Sequence, residues 1–437
     1  MFAAKATPRS RVHYAWIVAA VMFLTMLAAA GVRSAPGVLM VPLERDLGWS
    51  RAVISLAVSV NLVLFGLLGP FAAALVERFG ARRVVLTSLA LLVAGVSLTT
   101  QATRPWQMVL LWGVVVGTGA SMMALATAAT VINRWFSERR GLVMGLLTAS
   151  NATGQLIFLP VMAWIAENVG WRPMVLAVAS VMAAMIPVVF LWMRDRPEAV
   201  GMRRYGEPAD APAAPPQPLR NPLVAALSVL RIGVRTPDFW LLFATFFICG
   251  LSTNGLIATH LISACMDSGM PEVRAAGLLA AMGVFDLAGT TLSGYLSDRW
   301  NNRYLLFWYY GLRGLALLYL PVALDSVFFL GLSVFSVFYG LDWIATVPPT
   351  VRLTSDTFGK ENGGIMFGWI FAGHQIGAAV AALGAGTLRT VMGTYTQAFV
   401  IAGVFCVLAA LLALRIGHRT RRRAALQAPA VPLAEAG

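Results

Sequence analysis

Residues 69–83 read Gly69-Pro70-Phe71-Ala72-Ala73-Ala74-Leu75-Val76-Glu77-Arg78-Phe79-Gly80-Ala81-Arg82-Arg83: a glycine, two apolar turns, then an acid among bases. A weaker copy, Gly294-Tyr295-Leu296-Ser297-Asp298-Arg299-Trp300-Asn301-Asn302-Arg303, stands far down the chain. An offset of 221 residues carries Glu77 onto Asp298, Arg78 onto Arg299, Arg82 onto Arg303 and Gly48 onto Gly269. A nearly equal offset of 223 carries Gly141 onto Gly364, Gly145 onto Gly368 and Gly154 onto Gly377. Special residues repeating at near-constant spacing over so much chain mark a duplication into two similar halves.

The apolar runs around these loops set the class. The 437 residues are 59% hydrophobic and only 12% charged, against about 25% charged in a soluble domain. No water-soluble core absorbs that much apolar surface. Twelve runs stand out, at about 14–40, 53–76, 84–103, 106–132, 142–165 and 173–192, then 240–263, 275–296, 304–324, 327–347, 364–388 and 398–414. At about 1.5 Å per residue, each can cross a hydrocarbon core about 30 Å thick. The fold class expected is an all-α integral membrane protein of twelve transmembrane helices, numbered here in that order, in two six-helix repeats around a central cavity. The first run is too long for a signal-peptide core and is expected to be retained. The proline-rich stretch near residues 207–218 reads as part of a linker. The division is then 1–193 for the first half, 194–238 for a cytoplasmic linker, 239–416 for the second half and 417–437 for a cytoplasmic tail.

The net charge of +14 would suit nucleic acid if it lay on one soluble surface, but its location argues otherwise. With the N-terminus inside, 25 of the 33 basic residues fall on the cytoplasmic side and 6 on the other, the remaining two being Arg33 and Arg313 within spans. The positive-inside rule puts both termini in the cytoplasm and the chain in a cell inner (plasma) membrane. The partners expected are the lipid bilayer and a small solute, with no nucleic acid. Cys249, Cys265 and Cys406 all lie in apolar spans and suggest packing rather than disulfides or a metal site. No Walker loop, nucleophile elbow or metal-ligand cluster appears, so neither enzyme activity, cofactor nor metal is expected.

Parallel six-helix repeats are an architecture of the major facilitator superfamily, whose solute site lies between the halves near the midplane. The chain resembles that family over nearly its whole length. The loop at 69–83 resembles the family's Gly-x-x-x-Asp-Arg-x-Gly-Arg-Arg loop, with Glu77 where Asp is usual. By that resemblance Gly69, Glu77, Arg78, Gly80 and Arg82, with Asp298 and Arg299 of the copy, form a cytoplasmic gate. Its charge-assisted contacts with opposing helices hold one face closed and break when it opens. The competing reading is topogenic charge plus a tight turn. Three further stretches resemble the monocarboxylate transporters and oxalate/formate exchangers, especially bacterial ones: Gly31-Val32-Arg33-Ser34-Ala35-Pro36-Gly37, Leu47-Gly48-Trp49-Ser50-Arg51-Ala52-Val53-Ile54-Ser55, and Phe367-Gly368-Trp369-Ile370-Phe371-Ala372-Gly373-His374-Gln375-Ile376-Gly377. His374 falls where the oxalate exchangers carry an intramembrane lysine that pairs with the anion. Monocarboxylate carriers have, in helix 8, an Asp followed four residues later by Arg; this chain keeps Asp286 but has Thr290.

Charges within spans cost at least a few kcal/mol near the bilayer centre, so each needs a partner or a water-filled cavity. Four are evident: Arg33, Asp286, Arg313 and Asp342. Arg313 in helix 9 and Asp342 in helix 10 lie about ten residues from the cytoplasmic ends of consecutive helices, a placement that suits a structural ion pair. Arg33 has no acid at its depth in the first half, and a lone guanidinium facing a cavity offers a fork suited to a carboxylate. Snorkelling toward the outer interface is its competing role. The repeat mate of Arg33 is Asn254, and that of His374 is Asn151, two polar residues expected to face each other across the pseudo-two-fold. The substrate-binding set expected is Arg33, Asn61, Asn151, Gln155, Asn254, His374 and Gln375. Asp286 and His374 can change protonation where arginine cannot, so they are the proton-coupling candidates. His260 reads as an outer interface residue.

These features favour a secondary transporter moving a small organic anion, a mono- or dicarboxylate, by alternating access. Coupling would be to H⁺ or by exchange, with a monomer as the working unit. A drug or metabolite efflux antiporter of the same fold is the alternative. Its relatives carry a Gly-Pro-rich motif in helix 5, where this chain has Leu146-Leu147-Thr148-Ala149-Ser150-Asn151-Ala152-Thr153-Gly154-Gln155. A membrane sensor would bring an output domain larger than this linker or tail.

Overall fold

A computed structural model describes residues 13–208, 222–325 and 330–417. The side chains of Ala73, Leu125, Ala126, Asn151, Ala152, Pro222, Leu223, Lys360 and Glu361 lie outside the description. Among the described residues the only extended pairing is an isolated bridge between Phe136 and Tyr205. The rest of the regular structure is helical, including twelve helices long and apolar enough to span a bilayer. Helices 1 to 6 are Tyr14–Leu47, Arg51–Ala72, Ala81–Thr99, Pro105–Trp135, Arg140–Asn168 and Trp171–Trp192. Helices 7 to 12 are Pro237–Asp267, Glu272–Ser297, Asn302–Asp325, Leu330–Phe358, Asn362–Met392 and Thr396–Ala413. With no water to satisfy exposed amides in hydrocarbon, helices that close their own hydrogen bonds are what an apolar chain of this kind can form.

Local signals set the helix ends. Gly48 adopts φ +65° past Leu47, and Ser50 caps helix 2 by accepting from Val53 N at 3.4 Å, which makes the turn between helices 1 and 2 only three residues long. Helix 2 stays apolar to Val76, runs on through Glu77 and Arg78 to Phe79 and ends at Gly80, with φ +85°. A Cβ at Gly80 would lie 2.7 Å from the Asp195 carboxylate, so the turn needs glycine both for its backbone and for that approach.

Helices 4, 7 and 10 depart from a uniform α-helix. Helix 4 widens to a π turn over Val109–Val116 and breaks between Met122 and Leu125. Helix 7 has its own π turn at Leu251–Ile257. Helix 10 is two pieces, Leu330–Asp342 and Val347–Phe358, rather than the single helix ending near residue 347 read from the sequence. The second piece starts on Val347-Pro348-Pro349, prolines that fit a first turn because it has no amide partners to lose. The offset of 221 carries the helix 4 break at residue 123 onto the helix 10 break at residue 344, so the interruption belongs to the duplicated unit.

Among the described residues, the main packing between helices 1–6 and helices 7–12 is carried by helix 2 with helix 11, helix 5 with helix 8, and helix 1 with helix 7. The duplication exchanges the first two and maps the third onto itself, as a two-fold axis between equivalent halves requires. Helices 2 and 11 approach most closely away from the chain ends, where a Cβ on Gly386 would clash with Ser55, whereas one on Gly368 would only touch Pro70. On the face that bears the chain ends, the inner pieces of helices 4 and 10 pack chiefly on helices of their own halves. Gly141, Gly145 and Gly364 there face open space. The two halves are thus more tightly joined on the face away from the chain ends than on the basic one.

The linker is ordered on both sides of its proline-rich stretch. Tyr205 donates its N–H to Trp135 O at 2.8 Å, and its own carbonyl accepts from Ser137 N at 2.8 Å, tying the start of the linker to the helix 4–5 loop. Residues Pro222–Gly233 form a further helix. Residues 209–221 and the tail from 418 lie outside the described residues.

Candidate functional site

A cavity of about 60 Å³ sits between the halves, walled by helices 1, 2, 4, 5 and 7. Arg33, Asn61, Gln155 and Asn254 all line it, with Phe65 and Trp112 supplying apolar wall. Both π turns reach this wall. In helix 4, Trp112 O accepts from Asn61 Nδ2 at 2.8 Å, and in helix 7, Asn254 O accepts from Thr259 Oγ1 at 2.8 Å. A widened turn frees a carbonyl from its own helix, and here each freed carbonyl is taken by a neighbouring side chain.

Arg33 opens onto the cavity and its guanidinium carbon lies 4.8 Å from the centre of the Phe65 ring. No carboxylate among the described residues forms an ion pair with it. Its repeat mate Asn254 lines the same cavity, so the duplication has put a cation on one wall and a neutral amide on the other. Of the remaining expected substrate contacts, the side chain of Asn151 lies outside the described residues. His374 and Gln375 are buried instead of lining this cavity. The His374 ring stacks on Phe371 (5.5 Å between centres, 7° between planes) and meets Phe246 at 4.8 Å, leaving Nδ1 without a partner. A Cβ on Gly250 of helix 7 would clash with His374 O, so helices 7 and 11 touch backbone to backbone here. Gln375 turns into the seam between helices 2 and 11, against Gly66, and neither of its amide atoms has a partner.

Asp286 and the pair Arg313 and Asp342 converge on the break in helix 10. Asp286 Oδ1 accepts from Ile344 N at 2.9 Å and from Thr290 Oγ1 at 2.8 Å. Arg313 Nε donates to Asp342 Oδ2 at 2.6 Å, and its Nη2 donates to Asp342 O at 2.6 Å and Trp343 O at 3.2 Å. Ser293 Oγ donates to Ala345 O at 2.5 Å. The break exposes amides and carbonyls that a continuous helix would have paired, and these side chains satisfy them. Thr290, the departure from the carrier pattern, acts here as a hydroxyl donor to Asp286. Asp342 Oδ1 stays buried and unpartnered.

The charged loops make contacts within their own halves. Glu77 Oε1 lies 3.9 Å from Arg134 Nη2, and Arg82 N donates to Asp195 Oδ1 at 2.8 Å. The Arg82 guanidinium donates to Phe190 O and covers the Phe190 ring at 4.5 Å. Arg78 lies over Phe79, and Gly69 faces open space. In the copy, Asp298 pairs with Arg352 at 3.2 Å, while Arg299 sits 3.6 Å over Tyr295. None of these charged contacts crosses from one half to the other.

The two halves are joined on the face away from the chain ends by a cluster that reading the sequence passed over as topogenic charge. Arg51 at the start of helix 2 donates from Nη1 and Nη2 to the two oxygens of Asp267 on helix 7, at 2.7 and 2.8 Å. Arg51 Nε also donates to Glu44 at 2.8 Å, and Arg389 Nε from helix 11 donates to Asp267 at 2.7 Å. Tyr395 OH accepts from Arg51 at 3.2 Å and contacts His260 Nδ1 at 3.2 Å, while His260 Nε2 is 2.9 Å from Ala382 O. His260 is therefore a fully buried gate-side residue, not the interface residue expected, because helices 11 and 12 cover the end of helix 7. One signal was available: the 221 offset carries Asp46 onto Asp267. Asp46 bonds to Arg172 and Trp171 within its own half, whereas Asp267 reaches across.

The comparisons agree with this architecture. The sequence pattern described as Major Facilitator Superfamily matches residues 21–351. An uncharacterized MFS-type transporter, YcxA of Bacillus subtilis, is 23% identical over 413 residues, covering 91% of this chain and 94% of that protein. Monocarboxylate transporter 13 of Rattus norvegicus is 26% identical over 408 residues, covering 93% of this chain and 89% of its own. Among solved structures, a bacterial homolog of the human lysosomal transporter Spinster, crystallised inward-facing and unoccupied, superposes with a TM-score of 0.71 at 16% identity, over 95% of this chain and 99% of that one. The chain belongs to the Major Facilitator Superfamily and is a twelve-span membrane transporter, not an enzyme.

Proposed function

We propose that this transporter carries a small organic anion, a mono- or dicarboxylate, across the cell's inner membrane by alternating access, with the basic face and both chain ends in the cytoplasm. The observation that carries the reading is Arg33, an unpaired guanidinium on the wall of the cavity between the halves. An arginine without a counter-ion in a membrane interior is costly to keep, and a carboxylate offers it the bidentate partner its fork is shaped for. Asn61, Gln155 and Asn254 add neutral donors and acceptors that fix orientation, and Phe65 and Trp112 accept an apolar body. The relatives named as monocarboxylate transporters support the same solute class.

In this reading residues 1–193 and 239–416 are the two bodies that rock about the site as a monomer. The Arg51 and Asp267 cluster holds the outer face while the cavity empties inward. The loops at Glu77 and Asp298 re-form contacts across the inner face when it closes. Asp286 and His374 are the coupling residues if protons drive uptake; exchange of one anion for another is the other driving force. The test is a binding screen of the purified protein against mono- and dicarboxylates at two pH values, read as thermal stabilisation. Carboxylates should stabilise the wild type and lose that effect in Arg33→Ala. Equal stabilisation of both proteins would sink the reading.

A further inference from the structure

The linker helix Pro222–Gly233 is apolar nearly all round and packs on two partners, helix 2 of the first half and helix 11 of the second. Its protein side is clear. Ala226 and Val229 are buried, Ala226 O accepts from Trp369 Nε1 at 2.9 Å, and Gly233 leaves room for Met366. Its other side is not covered: Val224, Leu227 and Ile232 are 61%, 54% and 54% exposed. Val234 and Trp240 continue that exposed apolar face onto helix 7. Arg231 and Arg235 stand among them, also exposed.

Register places this helix at the edge of the membrane and across it. Trp369 meets Phe71 at 6.0 Å, and Phe71 lies six residues, roughly 9 Å of helix rise, before Glu77, the first charge on helix 2 after Arg51. The Trp369 contact therefore lies within two helical turns of the charged boundary at the end of helix 2. From Trp369 to Met366 is roughly 4.5 Å along helix 11, whereas from Ala226 to Gly233 is roughly 10.5 Å along the linker helix. The linker helix thus crosses helix 11 at a steep angle and lies close to the membrane plane.

We propose that this helix is an interfacial lipid-binding element. Val224, Leu227 and Ile232 enter the acyl boundary, and Arg231 and Arg235 bind anionic headgroups. Three branched apolar side chains facing water on a twelve-residue helix have no other compensation, and arginine beside them is the charge an anionic leaflet selects. Only the assignment to the cytoplasmic leaflet rests on the topology proposed above. Because one helix touches both halves, the leaflet it sits in bears on both.

The test uses the full-length protein in vesicles of phosphatidylethanolamine with or without phosphatidylglycerol. Cysteine is placed at Leu227 (Leu227→Cys) and, as a control, at exposed Glu198 (Glu198→Cys), and labelled with an environment-sensitive fluorophore. The three native cysteines are buried, and the unsubstituted protein sets the labelling background. The label at 227 should be quenched by doxyl-lipid and shielded from aqueous iodide, with the reverse at 198. Replacing Arg231 and Arg235 by Gln should weaken the dependence on phosphatidylglycerol by roughly fivefold per arginine. Iodide quenching at 227 equal to that at 198 would overturn the proposal. So would shielding that appears only at high protein-to-lipid ratio, which would mean that a second copy covers the face.

Discussion

Arg51 of helix 2 holds both carboxylate oxygens of Asp267 of helix 7, at 2.7 and 2.8 Å, across the boundary between the two halves. Arg51 is 4% exposed, so the contact is largely shielded from water. Truncating one partner of such a pair costs roughly 2–5 kcal/mol, partly because the other charge is left behind. Arg51→Ala should therefore shift the protein toward states open on that face. Spin labels on the helix 2 and helix 7 ends there should report a longer-distance population; an unchanged distribution would refute the latch.

Arg33→Lys keeps the charge in the cavity but loses the planar fork. Carboxylate uptake should fall steeply while expression in the membrane persists, and Arg33→Ala should fall at least as far. Near-normal uptake by Arg33→Ala would remove this residue from the site.

Neutralising Arg313 or Asp342 singly leaves the partner buried and charged, so each should cut folding yield, by roughly 3–5 kcal/mol of stability. The double apolar replacement should recover much of that loss but not all, since Arg313 also bonds the carbonyls of Asp342 and Trp343 at the break in helix 10. A double-variant cycle on the purified protein decides it. Wild-type stability in either single variant speaks against a structural pair.

Asp286→Asn retains an acceptor for Ile344 N, whereas Asp286→Ala leaves that amide bare at a cost of about 1–3 kcal/mol. The alanine variant should thus be the less stable of the two. If protons drive accumulation, Asp286→Asn should abolish uptake against a gradient yet leave counterflow, and His374→Gln should weaken anion affinity and flatten the pH dependence. Accumulation by both variants with the wild-type pH profile would leave exchange centred on Arg33 as the better account.

Much of the molecule is legible without coordinates because the bilayer admits few solutions. An apolar run of about 20 residues has to close its own hydrogen bonds, and a charge inside one is rare enough to name on sight. Arg33, Asp286, Arg313 and Asp342 were found that way, and the glycines and charged loops at offsets of 221 and 223 disclose two halves. Which way each polar side chain turns is another matter. Helix 11 is apolar on nearly every side, so no amphipathic stripe indicates that Gln375 faces the seam at Gly66 while His374 lies between Phe246 and Phe371.

The break in helix 10 leaves a trace in Pro348 and Pro349, but its partners come from helices 8 and 9 and cannot be read from that segment. The latch is less visible still: Arg51 and Asp267 are 216 residues apart and sit at helix ends, where charge is also expected for topology alone. The twelve spans, the duplication and the residues too polar for hydrocarbon can be read from the chain alone, because burial in lipid is a property of each segment taken singly. Which face the Arg51 and Asp267 contact joins, which amides share the cavity with Arg33, and the bond from the helix 10 backbone to Asp286 emerge only in the folded protein. Those depend on how one helix meets another, and a pair of surfaces in contact is written in neither segment alone.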